Sequence, residues 1–227
     1  MDNYILKVSN LGVVLRDQVI LENISFTLKA GERLAIVGPN GAGKSVLFKT
    51  LLKLIPHTGK IEWASHVKIG YVPQSISVTD IPISVKEFLS FKNKDNISIA
   101  LRDVRLENKG VLEKTLGNLS GGQLRRVLIA WALIDNPNVL LFDEPTTGVD
   151  VDSEEAIYRT VNEIIQQNHM TMLLISHDTH IIRDYADYLL ALNKCTTVFD
   201  DSKKIMDPEI QRRIFGEVVC TETNSDR

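Results

Sequence analysis

Leu34-Ala35-Ile36-Val37-Gly38-Pro39-Asn40-Gly41-Ala42-Gly43-Lys44-Ser45 is the stretch that decides the fold of this 227-residue chain. Its first four residues form a short apolar run bounded by Gly31 and Gly38, the pattern of a buried strand. From Gly38 to Ser45 the chain fits G-x-x-x-x-G-K-[ST], a phosphate-binding loop. Glycines let the backbone wrap closely and aim successive N–H groups at phosphate oxygens. After Lys44, the residues Leu47, Phe48, Leu51 and Leu52 recur at helical spacing up to Leu54. A helix is therefore predicted over 44–54, with the positive end of its dipole towards the anion. The expected nucleotide-binding residues are Gly38, Pro39, Asn40, Gly41, Ala42, Gly43, Lys44, Ser45 and Val46. Lys44 is expected to reach the β- and γ-phosphates, and the Ser45 hydroxyl to ligate Mg²⁺.

The wider chain fits such a core. Its length suits one large domain, or one domain with an insertion. Charged residues make up 24% and hydrophobic residues 44%, ordinary values for a soluble globular protein. A net charge of −3 gives no basic footprint, so no nucleic-acid partner is expected. No window approaches the roughly 18 consecutive apolar residues of a spanning helix. The opening Met1-Asp2-Asn3-Tyr4 lacks the regions of a secretory signal. Cys195 and Cys220 form no CxxC, and a reducing cytosol fits them better than a disulfide framework.

Residues 4 to 30 alternate weakly and carry β-branched residues, so antiparallel strands are expected there, ending at Ala30-Gly31. Lys60 to Val72 reads as one or two further strands, with Val67, Ile69 and Tyr71 on one face. Ser84-Val85-Lys86-Glu87 is a capping box that opens a helix. Residues 75–135 have several candidate helices and few strand signals, and read as a helical insertion. Within it, Leu119-Ser120-Gly121-Gly122-Gln123 is a glycine pair after a serine, followed by an amphipathic run. A helix N-terminus there would offer N–H donors to the far face of the nucleotide. Strand patterns resume at Val139-Leu140-Leu141-Phe142 and Met172-Leu173-Leu174-Ile175. Between them Asp152 is a candidate cap for a helix striped by Ile157, Val161, Ile164 and Ile165. Alternating strands and helices predict an α/β fold with a mainly parallel sheet.

Ligands of such sheets sit beyond the carboxyl ends of strands, where Lys44, Asp143, Glu144 and His177 all fall. Asp143 is the expected Mg²⁺ carboxylate. Glu144 is free to deprotonate the attacking water. Gln74 carries a neutral amide suited to Mg²⁺ and its water. His177 and His180 are three residues apart, but no cysteine lies near them and a metal pair is not expected.

Together these residues resemble the nucleotide-binding subunit of ABC transporters over residues 4–215. The matching stretches are the phosphate loop 38–45, Gln74 as the Q-loop, Leu119–Gln123 as an unaltered signature, and Val139–Asp143 with Glu144. Thr147-Gly148-Val149-Asp150 stands as the D-loop and His177 as the switch histidine. The resemblance implies a P-loop NTPase core with an N-terminal antiparallel β subdomain, and one ABC ATPase domain over 1–216. Residues 217–227 would be a polar, disordered tail. It implies ATP and Mg²⁺ as cofactors, Mg²⁺ being held by Ser45, Gln74 and Asp143, and catalysis by Glu144, His177, Lys44 and Gln74. It further implies a head-to-tail dimer in which Leu119, Ser120, Gly121, Gly122 and Gln123 face the ATP of the opposite subunit, with Asp150 in the D-loop. The partner would be an integral membrane permease, fed by an extracytoplasmic metal-binding protein. The subunit would lie on the cytoplasmic face of the inner membrane.

The stretches Ile69–Gln74, Phe142–Asp150 and Ser176–His180 look closest to ATPases of zinc and manganese importers, zinc above all. Iron-chelate importers and exporters have similar subunits. Soluble ABC ATPases of DNA repair carry long coiled coils between the phosphate loop and the signature, for which the gap from Ser45 to Leu119 has no room. Three positions depart from the family. Leu15 stands where an aromatic residue usually stacks on adenine, and Val46 where a second hydroxyl often follows Ser45. After the signature, Arg125-Arg126 and Ala130-Trp131-Ala132 replace the commoner Gln-Arg and Ala-Arg-Ala.

Overall fold

The computed structural model describes residues 4–74, 76, 82–92, 94–107, 109–144, 151–193 and 196–215. The order is β1 (Leu6–Leu15), β2 (Gln18–Leu28), β3 (Arg33–Val37), α1 (Lys44–Leu51), β4 (Thr58–Trp63), β5 (Ile69–Val72), α2 (Val85–Ser90), α3 (Ile97–Asp103), α4 (Lys109–Leu112) and α5 (Gly121–Leu133). There follow β6 (Val139–Asp143), α6 (Val151–Gln167), β7 (Thr171–Ile175), α7 (Thr179–Tyr185), β8 (Tyr188–Asn193), β9 (Thr196–Asp201) and α8 (Pro208–Phe215). Asp150 and the rest of Thr147–Asp150, Cys195, Cys220 and the 217–227 tail lie outside the described residues. The chain divides into two compact units: Met1–Lys29 with Arg33–Ala64 and Ile175–Arg227, and Ala30–Glu32 with Ser65–Leu174.

The first unit holds the expected antiparallel sheet, in the order β2-β1-β4. Leu6 and Val8, then Leu11 and Val13, are buried along β1, the phase slipping by one residue at an irregularity between Val8 and Leu11. A two-residue turn, Arg16-Asp17, joins Leu15 to its partner Gln18. Both turn residues have positive φ, 48° and 63°, as the twist of a tight hairpin demands. Strand β3 pairs in parallel with β8, from Leu34↔Tyr188 to Val37↔Ala191, and β8 pairs antiparallel with β9. Leu34, Ala35, Ile36 and Val37 are wholly buried, which is why this strand reads as a continuous apolar run. Below it, Ala35 and Val37 share a core cluster with Ile182, Ile205, Ile210 and Ile214. Asp187 fixes the start of β3, accepting hydrogen bonds from the Arg33 backbone at 2.9 Å and from its guanidinium at 2.8 Å.

Helix α1 stops at Leu51, three residues before the predicted end. Lys53 turns left-handed at φ 59°, and Leu54 and Lys53 donate back to the carbonyls of Lys49 and Thr50. That is a Schellman ending with lysine where glycine is usual. The Trp63 indole N–H takes the Leu51 carbonyl at 3.1 Å, satisfying one more acceptor of the last turn.

In the second unit β5 and β6 pair in parallel, from Ile69↔Val139 to Val72↔Phe142, and β7 follows in the order β5-β6-β7. Val67 falls outside the strands, and Tyr71 and Val72 face opposite ways, the second fully buried. Among the described residues from 82 to 138, the regular elements are all helical, as an insertion requires. Ser84 caps α2 through the predicted box: its Oγ accepts from Glu87 N–H and the Glu87 carboxylate accepts from Ser84 N–H at 2.8 Å. That pairing holds the exposed Glu87 carboxyl below the usual carboxylate range.

Trp131, unexplained by sequence, stacks on Phe88 at 4.3 Å between centroids, so it fastens α2 to α5. Lys92 lies 5.0 Å over the same indole and pairs with Asp135 at 2.9 Å. Helix α6 begins at Val151, so Asp152 sits inside its first turn rather than capping it.

Candidate functional site

The phosphate loop belongs to the first unit, between β3 and α1. Its shape requires glycine at two points. Gly38 has φ 147°, and a Cβ there would lie 2.0 Å from the Leu192 carbonyl oxygen. Gly43, the N-cap of α1, is left-handed at φ 91°, and a Cβ there would meet Leu21 at 2.7 Å. The loop closes on itself through Ala42 N–H to the Pro39 carbonyl, 3.2 Å. Lys44 is 6% exposed, and its ammonium donates to the carbonyls of Gly38 at 2.9 Å and Pro39 at 3.1 Å. Pro39, Ser45 and Val46 are partly exposed, Ala42 is buried, and Asn40 and Gly41 are open to solvent. A glycine-bent loop open to solvent at Asn40 and Gly41, with a lysine folded over it, is suited to take an anion.

His177 is in the same unit, beyond the end of β7, and its residue is exposed. Its neighbours set the backbone there. The buried Ser176 hydroxyl accepts from Asp178 N–H at 3.1 Å, and Asp178 caps α7 by accepting from His180 N–H at 2.7 Å. Among the described residues, no group of three or more His, Cys, Asp or Glu could hold a metal ion. Leu15 is half-buried at the last position of β1, directly before the Arg16-Asp17 turn.

Gln74, Asp143, Glu144 and Leu119–Gln123 belong to the second unit. Asp143 ends β6 and is 3% exposed. The Tyr71 hydroxyl hydrogen-bonds it, and burial with the Asp143 charge pushes the Tyr71 pKa up to about 12. Tyr71 therefore keeps its proton and donates to the carboxylate across the physiological range. Glu144 follows in a left-handed conformation, φ 38°, uncommon for a non-glycine residue. The Gln74 amide N–H donates to the Glu144 carboxylate, so two residues 70 positions apart in sequence meet.

Sequence reasoning missed what holds Gln74. The Arg125 guanidinium donates to the Pro73 carbonyl at 2.6 Å and to the Gln74 carbonyl at 2.5 Å. Burial pulls this guanidinium below its usual range, against the opposing pull of Tyr158 and Asp143. A signal was present: Arg125, Ile129 and Ala132 are buried at helical spacing, so a charge stands on the apolar stripe of α5. Helix α5 itself opens with a second capping box. Ser120 Oγ accepts from Gln123 N–H, and the Gln123 amide oxygen accepts from Ser120 N–H, each at 3.2 Å. This leaves Ser120 and Gly121 exposed at the helix N-terminus.

A strand, a glycine loop and a helix in that order define a P-loop nucleotide-binding protein. The model of the ABC transporter family matches residues 21–147, and the chain belongs to that family. It is similar to a zinc import ATP-binding protein of Buchnera aphidicola subsp. Schizaphis graminum, 38% identical over 193 residues, 84% of this chain and 81% of that one. A zinc import ATP-binding protein of Wigglesworthia glossinidia brevipalpis is 36% identical over 221 residues, 95% of this chain and 94% of that one. Among solved structures, a proposed metal-chelate type ABC transporter in an inward-facing conformation superposes with TM-score 0.83 at 28% identity, covering 93% of this chain and 88% of that one. The chain is thus an ATP-binding transport ATPase of α/β fold. ATPase subunits of ABC importers work as dimers with membrane permeases. Among the described residues no helix is long and apolar enough to cross a membrane.

Proposed function

We propose that this chain hydrolyses ATP to energise uptake of a divalent metal, zinc in first place, through a separate membrane permease. The observation that carries this is the run of zinc import ATP-binding relatives matched over 84% and 95% of the chain. Residues 1–216 would act as one ATPase domain at the cytoplasmic face of the inner membrane. An extracytoplasmic metal-binding protein would deliver the ion to the permease, so the cargo need not touch this chain.

In this reading Gly38 to Val46 hold the ATP phosphates, with backbone N–H groups and Lys44 offsetting their charge. Glu144 takes the proton of the attacking water, and Gln74 and His177 orient that water and the γ-phosphate. The donors Ser45, Gln74 and Asp143 are hard oxygen ligands, which suits Mg²⁺. Bound there, Mg²⁺ would neutralise charge on the phosphate oxygens. Leu119, Ser120, Gly121, Gly122 and Gln123 of a second copy would face the same ATP, with Asp150 at the dimer seam. The uncrowded N-terminus of α5 supports this, because exposed N–H groups at a helix start favour phosphate.

The test is cellular uptake of zinc, manganese and iron under metal limitation, wild type against Glu144→Gln. Loss of zinc uptake alone is expected. Loss of manganese or iron uptake instead would keep the machine and change its cargo. Unchanged uptake of all three would overturn metal import and point to another solute or an exporter.

A further inference from the structure

We propose that Arg125 is a positioning residue for hydrolysis, its two guanidinium N–H groups gripping the Pro73 and Gln74 carbonyls so that the Gln74 amide stays on Glu144. The idea rests on the hydrolytic reading of Gln74 and Glu144 given above. Arg125 is 4% exposed, in a place where a charge is costly unless it is well paired. Both bonds go to consecutive backbone carbonyls, at 2.6 and 2.5 Å. A planar fork on two successive peptides fixes their orientation as well as their distance. Proline at 73 already limits φ there, so the fork removes much of the remaining freedom before Gln74. The side chain of Gln74 then has only its own rotamers left to search, and it lands on the Glu144 carboxylate.

The need for such support is visible in Glu144 itself. Its backbone is left-handed at φ 38°, a conformation the surroundings must hold. The hydrogen bond from the Gln74 amide to its carboxylate lasts only while the Gln74 loop stays in place. Arg125 also stands in the second turn of α5, whose N-cap is Ser120 of the Leu119–Gln123 stretch. The grip therefore makes the start of that helix and the Gln74 loop move as one piece. Glutamine, the commoner residue of the family at this position, is neutral and shorter, and offers a single NH₂ group in place of the two-armed fork.

ATP hydrolysis by the full chain tests this through Arg125→Gln, Gln74→Ala and the double variant, with kcat and KM measured for each. Arg125→Gln is expected to lower kcat roughly tenfold, the scale of a small misplacement, with KM for ATP within about twofold of wild type. In the Gln74→Ala background the same change should cost less than about twofold, because the group it positions is gone. Equal losses of kcat in both backgrounds would overturn the proposal, as would a rise in KM alone. An unchanged kcat in Gln74→Ala would fail earlier, sinking the role of Gln74 and this inference with it. Arg125→Lys guards against a variant that does not fold. It keeps the charge but loses the fork, so it should show the same coupling to Gln74→Ala, and additivity there would again overturn the idea.

Discussion

Between Gly38 and Ser45 the shape is set by the backbone: two glycines occupy positions no side chain can share, and Lys44 closes onto loop carbonyls five and six residues away. Around Gln74 and Glu144 the shape is set by side chains: a guanidinium grips a loop 51 and 52 residues back, and an amide reaches a carboxylate 70 residues on. The first region is local and the second is assembled from three distant segments. A local device is intolerant of substitution but easy to recognise. An assembled one leaves little mark on the sequence.

The largest effect is expected at the local device. Gly38→Ala places a Cβ 2.0 Å from the Leu192 carbonyl oxygen in a φ that disfavours it. We expect at least about 3 kcal/mol of destabilisation, since strand backbone must move in a packed core, and loss of ATP binding. Denaturant unfolding and a nucleotide titration check this. Retention of both would mean that the loop is not specified by its backbone.

Trp131→Ala attacks the second unit instead. Losing the Phe88 stack and the Lys92 contact should lower unfolding stability by about 2 kcal/mol. ATP affinity of the phosphate loop should hardly change. A large fall in ATP affinity with stability intact would break the contrast between the two regions.

Smaller effects sharpen it. Leu15→Tyr should tighten ATP binding by about 1 kcal/mol if a stacked base was missing from this position. Asp17→Gly should raise stability by several tenths of a kcal/mol up to about 1, because glycine removes the left-handed strain of φ 63° at that turn. Thermal melts and fluorescence titration of ATP resolve both, and no change in either would return Leu15 and Asp17 to ordinary surface positions.

Much of the fold was legible because it is written locally. The apolar runs of β3, β6 and β7 and the box at Ser84 each carry their reason within a few residues. The candidate site is legible as far as motif spacing reaches, which proposes Lys44, Gln74, Asp143, Glu144 and His177. What stayed hidden depends on distant partners. Nothing near Arg125 in sequence announces Pro73 or Gln74, and nothing near Trp131 announces Phe88. Helix α1 ran shorter than its pattern because Lys53 adopts a glycine-like conformation that residue type argues against. Asp152, with Glu155 three residues on, reads as a cap from its spacing, yet the helix starts one residue before it.

Glu144 is proposed as the base for ATP hydrolysis, and Glu144→Gln removes that base while keeping its shape. The measurement is single-turnover hydrolysis with ATP binding and molecular mass followed on the same sample. We expect near-normal ATP affinity, turnover reduced by about 100-fold or more, and an ATP-trapped dimer. Wild-type turnover in Glu144→Gln would contradict it.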